Sequence, residues 1–76
     1  MLWFSPAVTI KAAPGRMRDV NSVEGALEAM RGWPVRPKLR AAYVICAEVF
    51  DGTKTVDDAR KAFVSAAKEA GAYRDG

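Results

Sequence analysis

The spacing of apolar positions changes near Asn21, and the change divides the chain into a strand-forming and a helix-forming part. Between Ala7 and Lys11, Val8 and Ile10 alternate with Thr9 and Lys11, the period of a half-buried strand with Val8 and Ile10 inward. Ala13-Pro14-Gly15-Arg16 then reverses the chain, proline presetting the second turn position and glycine accepting a positive φ at the third. Because a type II turn twists against paired strands, a loop slightly longer than the tightest hairpin is expected. The return strand, Arg16 to Val20, carries Met17 on one face and Arg16 and Arg18 on the other.

Beyond it the period is helical. Asn21 is the expected N-cap, with Glu24 three residues on to reach back to free amides. Val23, Ala26, Leu27 and Met30 then form one apolar stripe, Gly32 is placed to end the helix, and Trp33 is expected to plug the core. Pro37 suits the first position of a second helix running to about Asp51, because its missing N–H would have had no partner there. That helix is apolar nearly all round: Leu39, Ala42, Tyr43, Cys46, Val49 and Phe50 make one stripe, and Ala41, Val44, Ile45 and Ala47 widen it. Such a helix is either central or meets another chain. After Gly52, Thr55 to Asp58 cap a third helix with the stripe Val56, Ala59, Phe63, Ala66, Ala67 and Ala70, which Gly71 ends. The expected fold is α+β, a two-stranded antiparallel hairpin followed by three helices. It forms one domain over residues 1–76, with 72–76 a frayed polar tail unless Tyr73 folds back onto the last helix.

Composition narrows the function classes. With 76 residues and half of them apolar, the chain is near the lower size limit for a self-sufficient core. No apolar run approaches the roughly 20 residues that cross a bilayer, so no membrane association is expected. One cysteine and no histidine exclude a disulfide framework and the usual zinc ligand sets, and no cofactor motif is present. The N-terminal Met1-Leu2-Trp3-Phe4 lacks a basic lead, which reads as a mature cytoplasmic chain.

Trp33-Pro34, the Ala42 to Cys46 segment with its Ala-x-x-x-Cys spacing, Gly52, and Ala59-Arg60-Lys61-Ala62-Phe63 running on to Ala70-Gly71 together resemble a family of very short, single-domain alphaproteobacterial proteins of unknown function. The resemblance covers almost the whole chain and is most specific in the last helix. It implies the hairpin-plus-helices fold and carries no activity over to these residues.

The chemistry on offer is sparse. Cys46 lies among Tyr43, Ile45, Val49 and Phe50 with no histidine to act as base, so it reads as a core residue and not a nucleophile. Asp57-Asp58 and Glu24 with Glu28 are accounted for by a helix start and a solvated face, and no catalytic role is expected. The net charge of +3 and the cluster Arg31, Arg36, Lys38 and Arg40 around Trp33, extended by Arg16 and Arg18 if their strand face looks outward, suit weak contact with an anion or nucleic acid. The mixed charges of the third helix do not suit a recognition helix. The favoured reading is a non-catalytic protein-binding or regulatory module, a homodimer or docked on a protein partner, with Trp3, Phe4, Val44, Ile45 and the open edge of the hairpin as candidate interfaces.

Overall fold

The computed structural model describes residues 2–74. Its elements are β1 (Trp3–Ala13), β2 (Arg16–Ser22), α1 (Val23–Met30), α2 (Pro37–Phe50) and α3 (Val56–Glu69), the α+β order expected. β1 and β2 pair antiparallel, with Val8 opposite Val20, Ile10 opposite Arg18 and Ala13 opposite Arg16. The turn is therefore Pro14-Gly15 alone, tighter than the expected loop, with Gly15 at φ 74°. A register shift between Lys11 and Ala13 accompanies it: an extra residue bends β1, which reconciles the turn's twist with that of the strands. β1 also starts earlier than the alternation suggests, because an irregular stretch between Trp3 and Val8 interrupts the pattern without ending the pairing.

One face of the hairpin, Phe4, Val8, Ile10 and Val20, meets Val23, Ala26 and Met30 of α1, Leu39, Ala42, Cys46 and Val49 of α2, and Ala59, Phe63, Ala66 and Ala67 of α3. Phe63 is central, fully buried, with Phe4 tilted against it at 6.1 Å and Trp33 stacked on it at 5.5 Å between ring centroids. Trp33 thus packs on the core as expected, as a half-buried lid. Met17 is exposed, whereas Arg18 lies on the side of Val20 and Ser22 and reaches Glu28 of α1 at 3.5 Å. The strand period explains this, since alternate residues share a face and Val20 is the one the core holds.

The helix caps follow local chemistry with one displacement. Ser22, not Asn21, is the N-cap of α1, and its Oγ accepts from the Gly25 N–H at 3.0 Å. Gly32 takes no positive φ; α1 ends at Met30 in a tight turn closed by the Trp33 N–H on the Met30 carbonyl. Thr55 and Asp58 form the reciprocal box expected for α3, both hydrogen bonds at 3.1 Å. Hydrogen bonding from Thr55, its backbone N–H first and its side chain second, holds the Asp58 carboxyl below its ordinary range.

The C-terminal segment departs furthest from expectation. Beyond Gly71, at φ 71°, the chain turns back to β1 instead of fraying. The Lys11 N–H donates to the Ala72 carbonyl at 2.7 Å, the Arg74 N–H donates to the Thr9 carbonyl at 3.1 Å, and Ile10 bridges Tyr73. Ala72 is buried, and Lys68 sits over the Tyr73 ring at 5.1 Å. The rest of the expected tail, residues 75–76, lies outside the described residues.

Candidate docking surface

α2 is built on a narrow contact. Leu39, Ala42, Cys46 and Val49 recur at i, i+3, i+7 and i+10 and are the residues it buries. Its N-terminus has no local side-chain cap; the Glu69 carboxylate of α3 accepts from the Lys38 N–H at 3.1 Å, and Arg36 donates to the Glu69 carbonyl at 3.3 Å. These bonds fix α2 antiparallel to α3, the alanines of α3 allowing close approach. Among the described residues no element lies over the outer side of α2. Tyr43, Val44, Ala47 and Phe50 are exposed, Val44 at 59% and Phe50 at 52%.

The apolar width of α2 is therefore resolved on two sides. Tyr43 and Phe50, expected in the core stripe, sit about 60–80° round the axis from the centre of the buried residues, on a flank that a chain this short leaves uncovered. Among the four candidate interface residues, Val44 and Trp3 are exposed; Phe4 is a core residue against Phe63, and Ile45 is half-buried against the core on the opposite flank from Tyr43. Trp3 stands apart on β1, lining a shallow cleft with Val56, Asp57 and Arg60. Of the hairpin's two edges, the one on β1 is closed at Thr9 to Lys11 by residues 72–74, and among the described residues the one on β2 stays open, as expected of the hairpin.

The basic cluster does not converge. Arg31, Arg36, Lys38 and Arg40 are all exposed, but positions two apart on a helix point about 200° from each other, so Lys38 and Arg40 face different sides. Arg36 and Arg40, four apart, share a shallow groove of about 320 Å³ with Val35 and Pro37. Arg18 does not extend the patch, since Glu28 offsets its charge.

Cys46 is buried with no exposure, and burial pushes its thiol from 9.0 up to about 11. At neutral pH it stays protonated, the inert form of a cysteine. Its alkylation in the native protein is expected to be on the order of 10³-fold slower than in denaturant, because reaction waits on unfolding. The same shift has a pH sign. The folded state holds its proton more tightly than the unfolded chain, so the thiol leaves stability unchanged below about pH 9 and lowers it as pH rises towards about 11. Fast native labelling at neutral pH would contradict this placement.

Among the described residues no group of three or more Cys, Asp or Glu side chains is arranged to hold a metal ion, and no helix is long and apolar enough to cross a membrane. Asp57 is paired with Lys61 at 3.2 Å and Asp58 is spent on its cap, so neither carboxylate stands free in a cleft.

Fold and surface together define a small ββααα domain with a closed aromatic-centred core and one uncovered helix face. The chain belongs to the family described as Protein of unknown function (DUF982), whose model matches residues 6–73. The match extends through Tyr73 and so takes in Ala72 and Tyr73 of the segment that closes on β1. No curated protein and no solved structure matches the chain significantly.

Tyr43, Ala47 and Phe50 join Val44 on the uncovered face, although the sequence assigns Tyr43 and Phe50 to the core. Measured from Cys46, Phe50 and Tyr43 lie about 40° and 60° round the axis, as far as buried Ala42 and Val49 do on the other side, so it is the covering by α1 and α3 that separates them. Glu69 carries no local signal for its role, since the amide it caps lies in α2, across the helix pair.

Proposed function

We propose that this protein is a non-catalytic binding or regulatory module whose docking surface is the outer face of α2, formed by Tyr43, Val44, Ala47 and Phe50. One observation carries the reading: α2 has apolar residues on two sides, and the core uses one of them. In a chain with so little core, large apolar side chains left in water forgo stabilisation, up to about 1.5–3 kcal/mol for each fully exposed one. A partner recovers that burial.

A photo-crosslinking amino acid at position 44 tests the reading, with position 61 on α3, outside the α2 face, as control. Discrete protein adducts are expected from position 44 and none from position 61; equal, diffuse labelling at both would defeat it. A second reading, weak nucleic-acid contact, is supported by the Arg36–Arg40 groove at the end of the same face. It predicts nucleic-acid adducts from position 44 and affinity falling steeply with salt.

A further inference from the structure

The outer face of α2 is complementary to itself. Arg40, Val44, Ala47 and Asp51 follow one another at spacings of four, three and four, the seam of a helix pair. All four are exposed, and among the described residues neither Arg40 nor Asp51 is in a salt bridge. The seam is cationic at its N-terminal end, anionic at its C-terminal end and apolar between. Two parallel copies would set Arg40 against Arg40 and Asp51 against Asp51. Two antiparallel copies set each Arg40 against an Asp51, one pair at each end.

We infer that α2 pairs antiparallel with α2 of a second copy of this chain across a two-fold axis between Val44 and Ala47. This rests on the reading of the same face as a docking surface and names its occupant. In that register each Val44 packs opposite a partner alanine, large into small, which lets two helices approach closely. Tyr43 and Phe50 line one flank of the seam, so each tyrosine meets the partner's phenylalanine there and the pair forms twice. On the other flank Glu48 falls beside the partner's alanine at position 41 instead of another Glu48. Every residue of the seam finds a suitable partner under one symmetry operation.

The seam of one 14-residue helix is a small contact, of the weak and transient class, and a dimer with Kd on the order of 100 µM is expected. Sedimentation velocity from low to high micromolar concentration reads it directly. Val44→Glu should leave a monomer throughout, with circular dichroism showing the fold intact because position 44 is outside the core. Arg40→Glu should weaken the dimer by about tenfold or more, since it places two carboxylates together at each end. Arg40→Glu combined with Asp51→Arg should restore it to within about threefold, because the swapped charges pair again. A wild-type chain that stays monomeric overturns self-pairing; if position 44 still gives discrete adducts to another protein, the docking surface itself stands. A dimer indifferent to Val44→Glu overturns the choice of face, and failure of the charge swap to restore pairing overturns the antiparallel register.

Discussion

Replacing Phe63 with alanine is expected to remove about 3–5 kcal/mol of stability, the cost of emptying a fully buried aromatic site. The ring lies where the hairpin and the helix layer meet, with Phe4 of β1 tilted on it and Trp33 stacked against it at an interplanar angle of 13°. Alanine leaves both neighbours facing a void that the backbone cannot close, since α3 is held at its start by the Thr55 box and near it by Arg60 donating to the Pro6 carbonyl at 2.7 Å. A chain of 76 residues has a total stability of roughly 4–11 kcal/mol at the usual per-residue values. The variant therefore forfeits about a quarter of it at the least. Its thermal midpoint should fall by on the order of 20 °C, given about 4–8 °C per kcal/mol for a domain of this size. Phe50→Ala is the internal contrast, the same deletion at an exposed site, and should cost under about 1 kcal/mol. Comparable melting of both variants would mean that Phe63 is not the centre of the core.

The difference between those two phenylalanines also marks how far the sequence can be read. Period-2 alternation at Val8 to Lys11 and the stripes of α1 and α3 place the elements and most of the core, because each is an amphipathic pattern with one side to bury. The Thr55–Asp58 box is legible for a similar reason, its chemistry being confined to four neighbouring residues. α2 is harder: apolar residues all round it give the pattern no phase, so nothing local says that Cys46 is buried and Phe50 is not. That choice is made by α1 and α3, which cover one side. The same ambiguity hides the uncovered face of α2, which is legible as an excess of apolar residues but not as a particular set of them. Phe4 illustrates the reverse error, an apolar residue near a chain end that the hairpin carries into the core. Contacts distant in sequence, such as Glu69 on Lys38 or Ala72 on Lys11, leave no trace in the neighbourhood of either partner.

The last of these contacts has a large expected effect of its own. A chain ending at Gly71 loses the hydrogen bonds of Ala72 and Arg74 to β1, the buried Ala72 and the half-buried Tyr73 with Lys68 over its ring. At about 0.5–1.5 kcal/mol net for each hydrogen bond, and a further fraction of the roughly 1.5–3 kcal/mol of a full aromatic burial, truncation should cost about 2–4 kcal/mol. The Lys11 amide should also exchange with solvent far faster than in the intact chain, since its N–H donates to the Ala72 carbonyl at 2.7 Å. A melt within about 2 °C of wild type, with Lys11 still protected, would show that the segment does not hold β1. Truncation has a second consequence, for association. It bares the Thr9 carbonyl and the Lys11 N–H on an edge that the intact chain covers, and bare edges recruit strands. The truncated chain should therefore self-associate through β1 even when it carries Val44→Glu, whereas the intact chain with that substitution should not. The comparison separates the two surfaces: residues 72–74 close the β1 edge of the sheet, and association of the intact chain is then expected through the proposed face of α2.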